Sequence, residues 1–358
     1  MNKTLLIQNA RLVNEGSIVE SDLLIRDGRI QRIDRSISAE PATEVLDADG
    51  AWLLPGMIDD QVHFREPGLT HKGGIWSESR AAVAGGITSY MEMPNTLPPT
   101  VTLEALAGKY ALAEEKSLAN YAFYLGATND NLDVIRALEP GAACGIKIFM
   151  GASTGNMLVD DERTLAGIFR DASALIVTHC ESTPLIKQNL EAAMKRYGRD
   201  IPVTEHPNIR SAEACYQSTR TAIALSREHN APLHVLHLST AQEMELFEPG
   251  PVAGKLVTAE VCVHFLHFDS DDYPRLGNRI KCNPAIKTPA DRAGLLTALQ
   301  EGRLDIIATD HAPHTGEEKA SNDYLKAPAG LPLVQDALLS VLELHHDEVL
   351  SLEDIVLK

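Results

Sequence analysis

Five places along this chain put metal-ligand side chains at the ends of, or inside, apolar runs: Asp59-Asp60-Gln61-Val62-His63, Lys147, His179, His237 and Asp310. A histidine alone in such a place is more often a hydrogen-bonded structural residue than a ligand. Imidazole and carboxylate converging from several segments are another matter, because they form the donor set of a catalytic zinc site that keeps one position open for water. Lys147 is the most informative of these residues. It interrupts Gly145-Ile146-Lys147-Ile148-Phe149-Met150, a run that reads as a strand buried on both faces, where an unpaired ammonium is costly. One reading is a lysine that snorkels to a rim or pairs with a carboxylate. The other is a lysine of lowered pKa whose neutral amine captures carbon dioxide, giving an anionic carbamate able to bridge two cations. His71, His206, His229, His345 and His346 fall in loop or helix patterns and read as surface or structural residues.

These groups can meet only if the chain brings strand ends together. Apolar strand-like segments are expected at 53–61, 87–93, 120–127, 144–150, 174–179, 232–238, 256–262 and 305–310. Helical patterns alternate with them, including Leu103–Leu118, Leu185–Arg196 and Glu213–Glu228. Eight such units predict an α/β protein of the (β/α)8 TIM-barrel type, whose active site sits at the C-terminal ends of the strands. A doubly wound open sheet is the alternative, but no G-x-G-x-x-G follows the first strand. Residues 1–50 carry short alternating runs and turn signals such as Asp27-Gly28, which predict a small antiparallel β subdomain, and residues 51–358 form the barrel.

The composition narrows the function classes. With 44% hydrophobic and 23% charged residues and no low-complexity segment, the chain is an ordinary globular one. A net charge of -18 without any Lys/Arg-rich run argues against nucleic acid as a partner, and means that an anionic substrate needs a locally positive site. The five cysteines lack a C-x-x-C pair and read as buried, reduced thiols. No leader-like or membrane-spanning stretch is visible, so a cytoplasmic location without membrane contact is expected, with homo-oligomerisation left open.

Several strings are specific. Pro55-Gly56-Met57-Ile58-Asp59, His63-Phe64-Arg65-Glu66-Pro67-Gly68, Met93-Pro94-Asn95-Thr96, Asn283-Pro284 and Thr309-Asp310-His311-Ala312-Pro313-His314 resemble dihydroorotases of the amidohydrolase superfamily, over nearly the whole chain. The resemblance implies a zinc-dependent enzyme that reversibly cyclises N-carbamoyl-L-aspartate to L-dihydroorotate, with loss of water, in pyrimidine biosynthesis. It implies one or two Zn2+, held by His63, Lys147 as a bridging carbamate, His179, His237 and Asp310, with Asp310 as general base and then general acid. Arg65, Asn95 and His314 are implied as anchors of the substrate carboxylate. Asn283 and the backbone of Ala329 and Gly330 are implied to grip the amide edge of the ring, beside His63. The family's first-strand pattern is H-x-H, and here it is Gln61-Val62-His63, so one imidazole is replaced by an amide. An amide oxygen is a poor zinc donor, which favours the position among Lys147, His179 and His237 over the one among His63, Lys147 and Asp310.

The resemblance also implies that the N-terminal subdomain belongs to a composite β-sandwich whose C-terminal return segment is not among these residues. The stretch from His314 to Lys326, rich in charges, reads as a lid. Two alternatives remain open at this point. A hydantoinase or allantoinase would share the barrel and metals and differ in substrate recognition. A non-catalytic scaffold subunit would need no zinc at all.

Overall fold

The computed structural model describes residues 4–151 and 157–358. The chain divides into two compact units, Met1–Met57 with Val341–Lys358, and Ile58–Ser340.

The smaller unit is built on a five-stranded sheet in which β1 (Thr4–Asn14) is central. It pairs antiparallel with β2 (Ser17–Arg26), which pairs antiparallel with β3 (Arg29–Asp34). Both hairpins turn on two residues of positive φ, Glu15-Gly16 and Asp27-Gly28, whose handedness matches the strand twist. The wholly antiparallel unit expected from sequence is corrected here. β4 (Glu44–Asp47) and β5 (Trp52–Leu53) both run parallel to β1, because the chain crosses back through residues 35–43 instead of turning tightly. Ile7, Ala10 and Leu23 form its core, and the helix Leu352–Leu357 packs on β1.

The larger unit is the expected barrel. Its strands are β6 (Met57–Val62), β7 (Ile87–Glu92), β8 (Asn120–Gly126), β9 (Gly145–Phe149), β10 (Ile176–His179), β11 (Leu233–Val235), β12 (Val257–Cys262) and β13 (Ile306–Ala308). They follow one another in a single eight-stranded sheet. A parallel bridge between Val62, at the end of β6, and His311, just past β13, with the His63 amide donating to the His311 carbonyl at 2.7 Å, draws the first and last strands together. β9, β10 and β11 are buried at every residue, as strands covered on both faces must be. Met93, Tyr124, Val177 and Leu236 interlock as a core cluster. The helices Leu103–Lys116, Thr183–Tyr197 and Ala212–His229 match the expected ones to within a few residues. Thr102 and Ser211 cap two of them, each accepting a backbone N–H three residues on. All five cysteines are free, and only Cys144 is not fully buried.

Candidate active site

A cavity of about 360 Å³ opens where the strands end. Gln61, His63, Arg65, Asn95, Lys147, His179, His237, Asn283, Asp310, His314, Ala329 and Gly330, the whole set singled out from sequence, line it together. Arg65, His237 and Asp310 all have positive φ, at 58, 40 and 48°. Left-handed backbone is uncommon outside glycine and tends to gather at functional sites, where the surrounding fold imposes it. For His237 the restraint is visible: its backbone N–H donates to Glu260 Oε1 on the neighbouring strand at 3.1 Å.

Lys147, His179 and His237 all line the cavity. His179 lies at the end of β10 and donates from Nε2 to Glu181 Oε2 at 2.8 Å, so its Nδ1 carries a lone pair, which faces His237 Nε2 at 2.9 Å. Glu181 is ionised. Burial alone would push its carboxyl up, but Arg210 and His179 bring it down to about 2. Burial, helped by the neighbouring His179 and Lys147, holds His237 well below the ordinary imidazole range, so it is neutral. Burial also draws Lys147 down to about 8. Its ammonium lies over the Phe149 ring at 4.7 Å and has no hydrogen-bond or ion-pair partner among the described residues. Two neutral imidazoles and an unpartnered amine are the donor types that suit a zinc-like cation.

Around Asp310 the lining is organised by hydrogen bonds. Asp310 Oδ1 accepts from Gln61 Nε2 at 3.1 Å and lies 3.0 Å from His63 Nε2, while His63 Nδ1 lies 2.7 Å from Asn95 Oδ1. Asp59, the other carboxylate of that strand, is not in the cavity lining. It clasps Thr309, accepting from its hydroxyl at 2.6 Å, and burial raises it to about 7.

At the mouth, a residue that the sequence did not single out joins the set. Lys72 Nζ donates to His314 Nδ1 at 3.1 Å, which fixes the tautomer: the His314 proton is on Nε2 and is given to the Ala329 carbonyl at 3.0 Å. Arg65 Nε donates to the Pro313 carbonyl, but its Nη2 faces that His314 Nε2–H at 3.3 Å, donor against donor. One edge of the guanidinium therefore has no acceptor there. Burial, then the charges of Arg65 and Lys72, lower His314 to about 3, so it stays neutral. Lys72 also pairs with Glu318 at 3.1 Å. The only signal for Lys72 in the sequence was its nearness to the R-E-P-G string, since its role depends on a histidine 242 residues away.

Asn283 Oδ1 is buried without a hydrogen-bond partner among the described residues, an acceptor waiting for a donor. The expected backbone grip is only partly available. The Gly330 N–H is taken by the Lys281 carbonyl at 2.9 Å, and the Ala329 carbonyl already accepts from His314. Glycine is required at 330, where φ is 139° and a Cβ would meet the Ala312 carbonyl oxygen at 2.4 Å. The stretch read as a lid is tied down by two lysines: Lys281 donates to the Tyr324 and Ala327 carbonyls, and Lys319 to those of Lys281 and Pro328.

Donor types for a cation also meet among Asp60, His234 and Glu260, but none of the three lines the cavity. His234 Nε2 lies 3.3 Å from Asp60 and 3.4 Å from Glu260. Against the penalty of burial, hydrogen bonds to Asp60 and Glu260 raise it to about 10, which makes it a buried cation.

The chain is 32% identical over 355 residues to an allantoinase of Bacillus velezensis, covering 98% of this chain and 78% of the relative. It is 33% identical over 360 residues to a dihydroorotase of Bacillus cytotoxicus, covering 98% and 81%. Among solved structures it is similar to the L-hydantoinase (dihydropyrimidinase) from Arthrobacter aurescens, at 29% identity and a TM-score of 0.93, over 100% of this chain and 80% of that one. The family model described as "Amidohydrolase family" matches residues 52–357, and with these relatives it shows that the chain belongs to the amidohydrolase family.

Proposed function

We propose that this chain is a zinc-dependent cyclic amidohydrolase whose substrate carries a carboxylate, namely a dihydroorotase, opening L-dihydroorotate to N-carbamoyl-L-aspartate and closing it in reverse. The observation that carries the substrate choice is the mouth of the cavity. Arg65 presents a guanidinium edge with no acceptor among the described residues, and His314, which is neutral, contacts both it and Lys72. A buried cationic fork is matched by a carboxylate, and in a chain of net charge -18 it is the local positive site that an anionic substrate needs.

Lys147, His179 and His237 would hold the Zn2+, with Lys147 as its carbamate: the neutral amine adds to carbon dioxide and releases a proton. When bound, such a cation polarises the scissile carbonyl and lowers the pKa of water. The rest of the work falls to the chain. Arg65 and Lys72 hold the substrate carboxylate, Asn95 lies beside them, and Asn283 Oδ1 takes a ring N–H. Asp310, fixed by Gln61 and His63, accepts the proton of the attacking water as the C–O bond forms, then delivers it to the ring nitrogen as the C–N bond breaks. In the biosynthetic direction the same proton returns and leaves with water.

A second reading is supported by the allantoinase and L-hydantoinase among the similar proteins: a ring without a carboxylate, bound in the same cavity. Comparing hydrolysis of dihydroorotate, hydantoin and allantoin by the zinc-loaded protein separates the two. A strong preference for dihydroorotate is expected, and equal or better turnover of the uncharged rings would overturn the substrate assignment.

A further inference from the structure

We infer that the cavity floor takes one divalent cation, not two, and that Gln61 is a positioning residue that fixes Asp310 in place of a second ion. This rests on the proposed metal dependence but not on the identity of the substrate.

The two groups of lining residues differ in what surrounds them. At Lys147, His179 and His237 two ring nitrogens, His179 Nδ1 and His237 Nε2, face each other at 2.9 Å. His179 Nδ1 carries a lone pair because Nε2 gives its proton to Glu181, and the Lys147 amine has no hydrogen-bond or ion-pair partner among the described residues. Around Asp310 one carboxylate oxygen, Oδ1, takes two donors. A carboxylate can only accept hydrogen bonds, so the Gln61 group 3.1 Å from Oδ1 must be the amide NH2, and the Gln61 oxygen lies on the other side, 3.8 Å from Cys262 Sγ. By the same rule the His63 Nε2, 3.0 Å from that oxygen, is a donor. With two N–H groups on Oδ1, neither Gln61 nor His63 offers a lone pair to an ion there. For Gln61 and His63 to serve as ligands the amide would have to turn over and His63 lose its Nε2 proton, which would break both hydrogen bonds to a side chain that is 8% exposed. These two donors orient Asp310 for proton transfer without an ion beside Gln61.

Metal content tests this directly. The apo-protein is titrated with Zn2+ in bicarbonate buffer, followed by calorimetry, and the reloaded, desalted protein is analysed for zinc. One equivalent per chain is expected. His179→Ala with His237→Ala should abolish it. Gln61→Leu should keep the equivalent and the KM, and lower kcat on the order of tenfold, the value of one hydrogen bond to a charged group. Two equivalents in the natural protein, or loss of the single equivalent in Gln61→Leu, would overturn the inference. One equivalent with no turnover of dihydroorotate would leave it standing and remove the substrate assignment instead.

Discussion

Replacing Arg65 with methionine isolates the carboxylate clamp. Arg65 is only 8% exposed, and one edge of its guanidinium has no acceptor among the described residues, so a substrate carboxylate bound there would be largely desolvated. Removing one partner of such a hydrogen-bonded charge pair costs about 2–5 kcal/mol, the excess arising from the charge left buried and unpaired. Lys72, which also lines the cavity, supplies part of the missing charge, which places the loss near the lower half of that range. A cost of about 3 kcal/mol corresponds to a fall of roughly 150-fold in kcat/KM for dihydroorotate. Hydantoin has no carboxylate to lose, so its slow hydrolysis should hardly change and the ratio between the substrates should collapse. The assay is the initial rate of ring opening, followed by ultraviolet absorbance for both substrates, with zinc content measured in parallel. Equal loss on both substrates with zinc unchanged would show that Arg65 supports the loop through Pro313 and does not select the substrate, and the clamp would be refuted.

Lys147→Ala should lose zinc and activity together, and a short carboxylic acid that replaces the carbamate should restore part of both; full activity without it would show that Lys147 is no ligand. Because burial lowers Lys147 to about 8, its neutral amine becomes scarcer by about tenfold for each pH unit below that value, so bicarbonate-dependent zinc uptake by the apo-protein should accelerate as pH rises through about 8. A rate independent of pH between 6 and 9 would count against carbamate formation. Glu181→Gln weakens the acceptor that sets the His179 tautomer, and zinc affinity measured by competition with a chelator should fall about 10–100-fold. Unchanged affinity would mean that Glu181 serves only Arg210. Behind the cavity wall the buried pair Lys109–Glu92 gives a stability test: Lys109→Met leaves a carboxylate uncompensated and should cost about 3–5 kcal/mol in denaturant unfolding, whereas the double change to Met and Leu should recover most of it. A single-variant cost below about 1 kcal/mol would refute that account.

The barrel was legible because its signal is local. β9 and β10 are unbroken apolar runs, and a buried parallel strand needs nothing else, so their positions followed from the sequence to within a residue or two. Lys147 was legible as a candidate for the same reason: it stands out in an apolar run whatever surrounds it. The small sheet was only half legible. Asp27-Gly28 announces a hairpin, but whether β4 returns to β1 parallel or antiparallel depends on the path of the coil between them, which carries no periodic pattern. What only the tertiary structure decided is how groups far apart in the chain spend their protons. Gln61 could be read in the sequence as a weak ligand, but its meeting with Asp310, 249 positions away, shows its amide as a donor. Asp59 and Asp60 are adjacent and alike in type, yet one clasps Thr309 and the other joins His234. Lys72 enters the clamp only because His314 comes to it. Residue type sets which hydrogen bonds and charges a side chain can offer, and the sequence states it. Which partner receives them is a matter of distances of about 3 Å between segments hundreds of residues apart, and only the closed barrel fixes those.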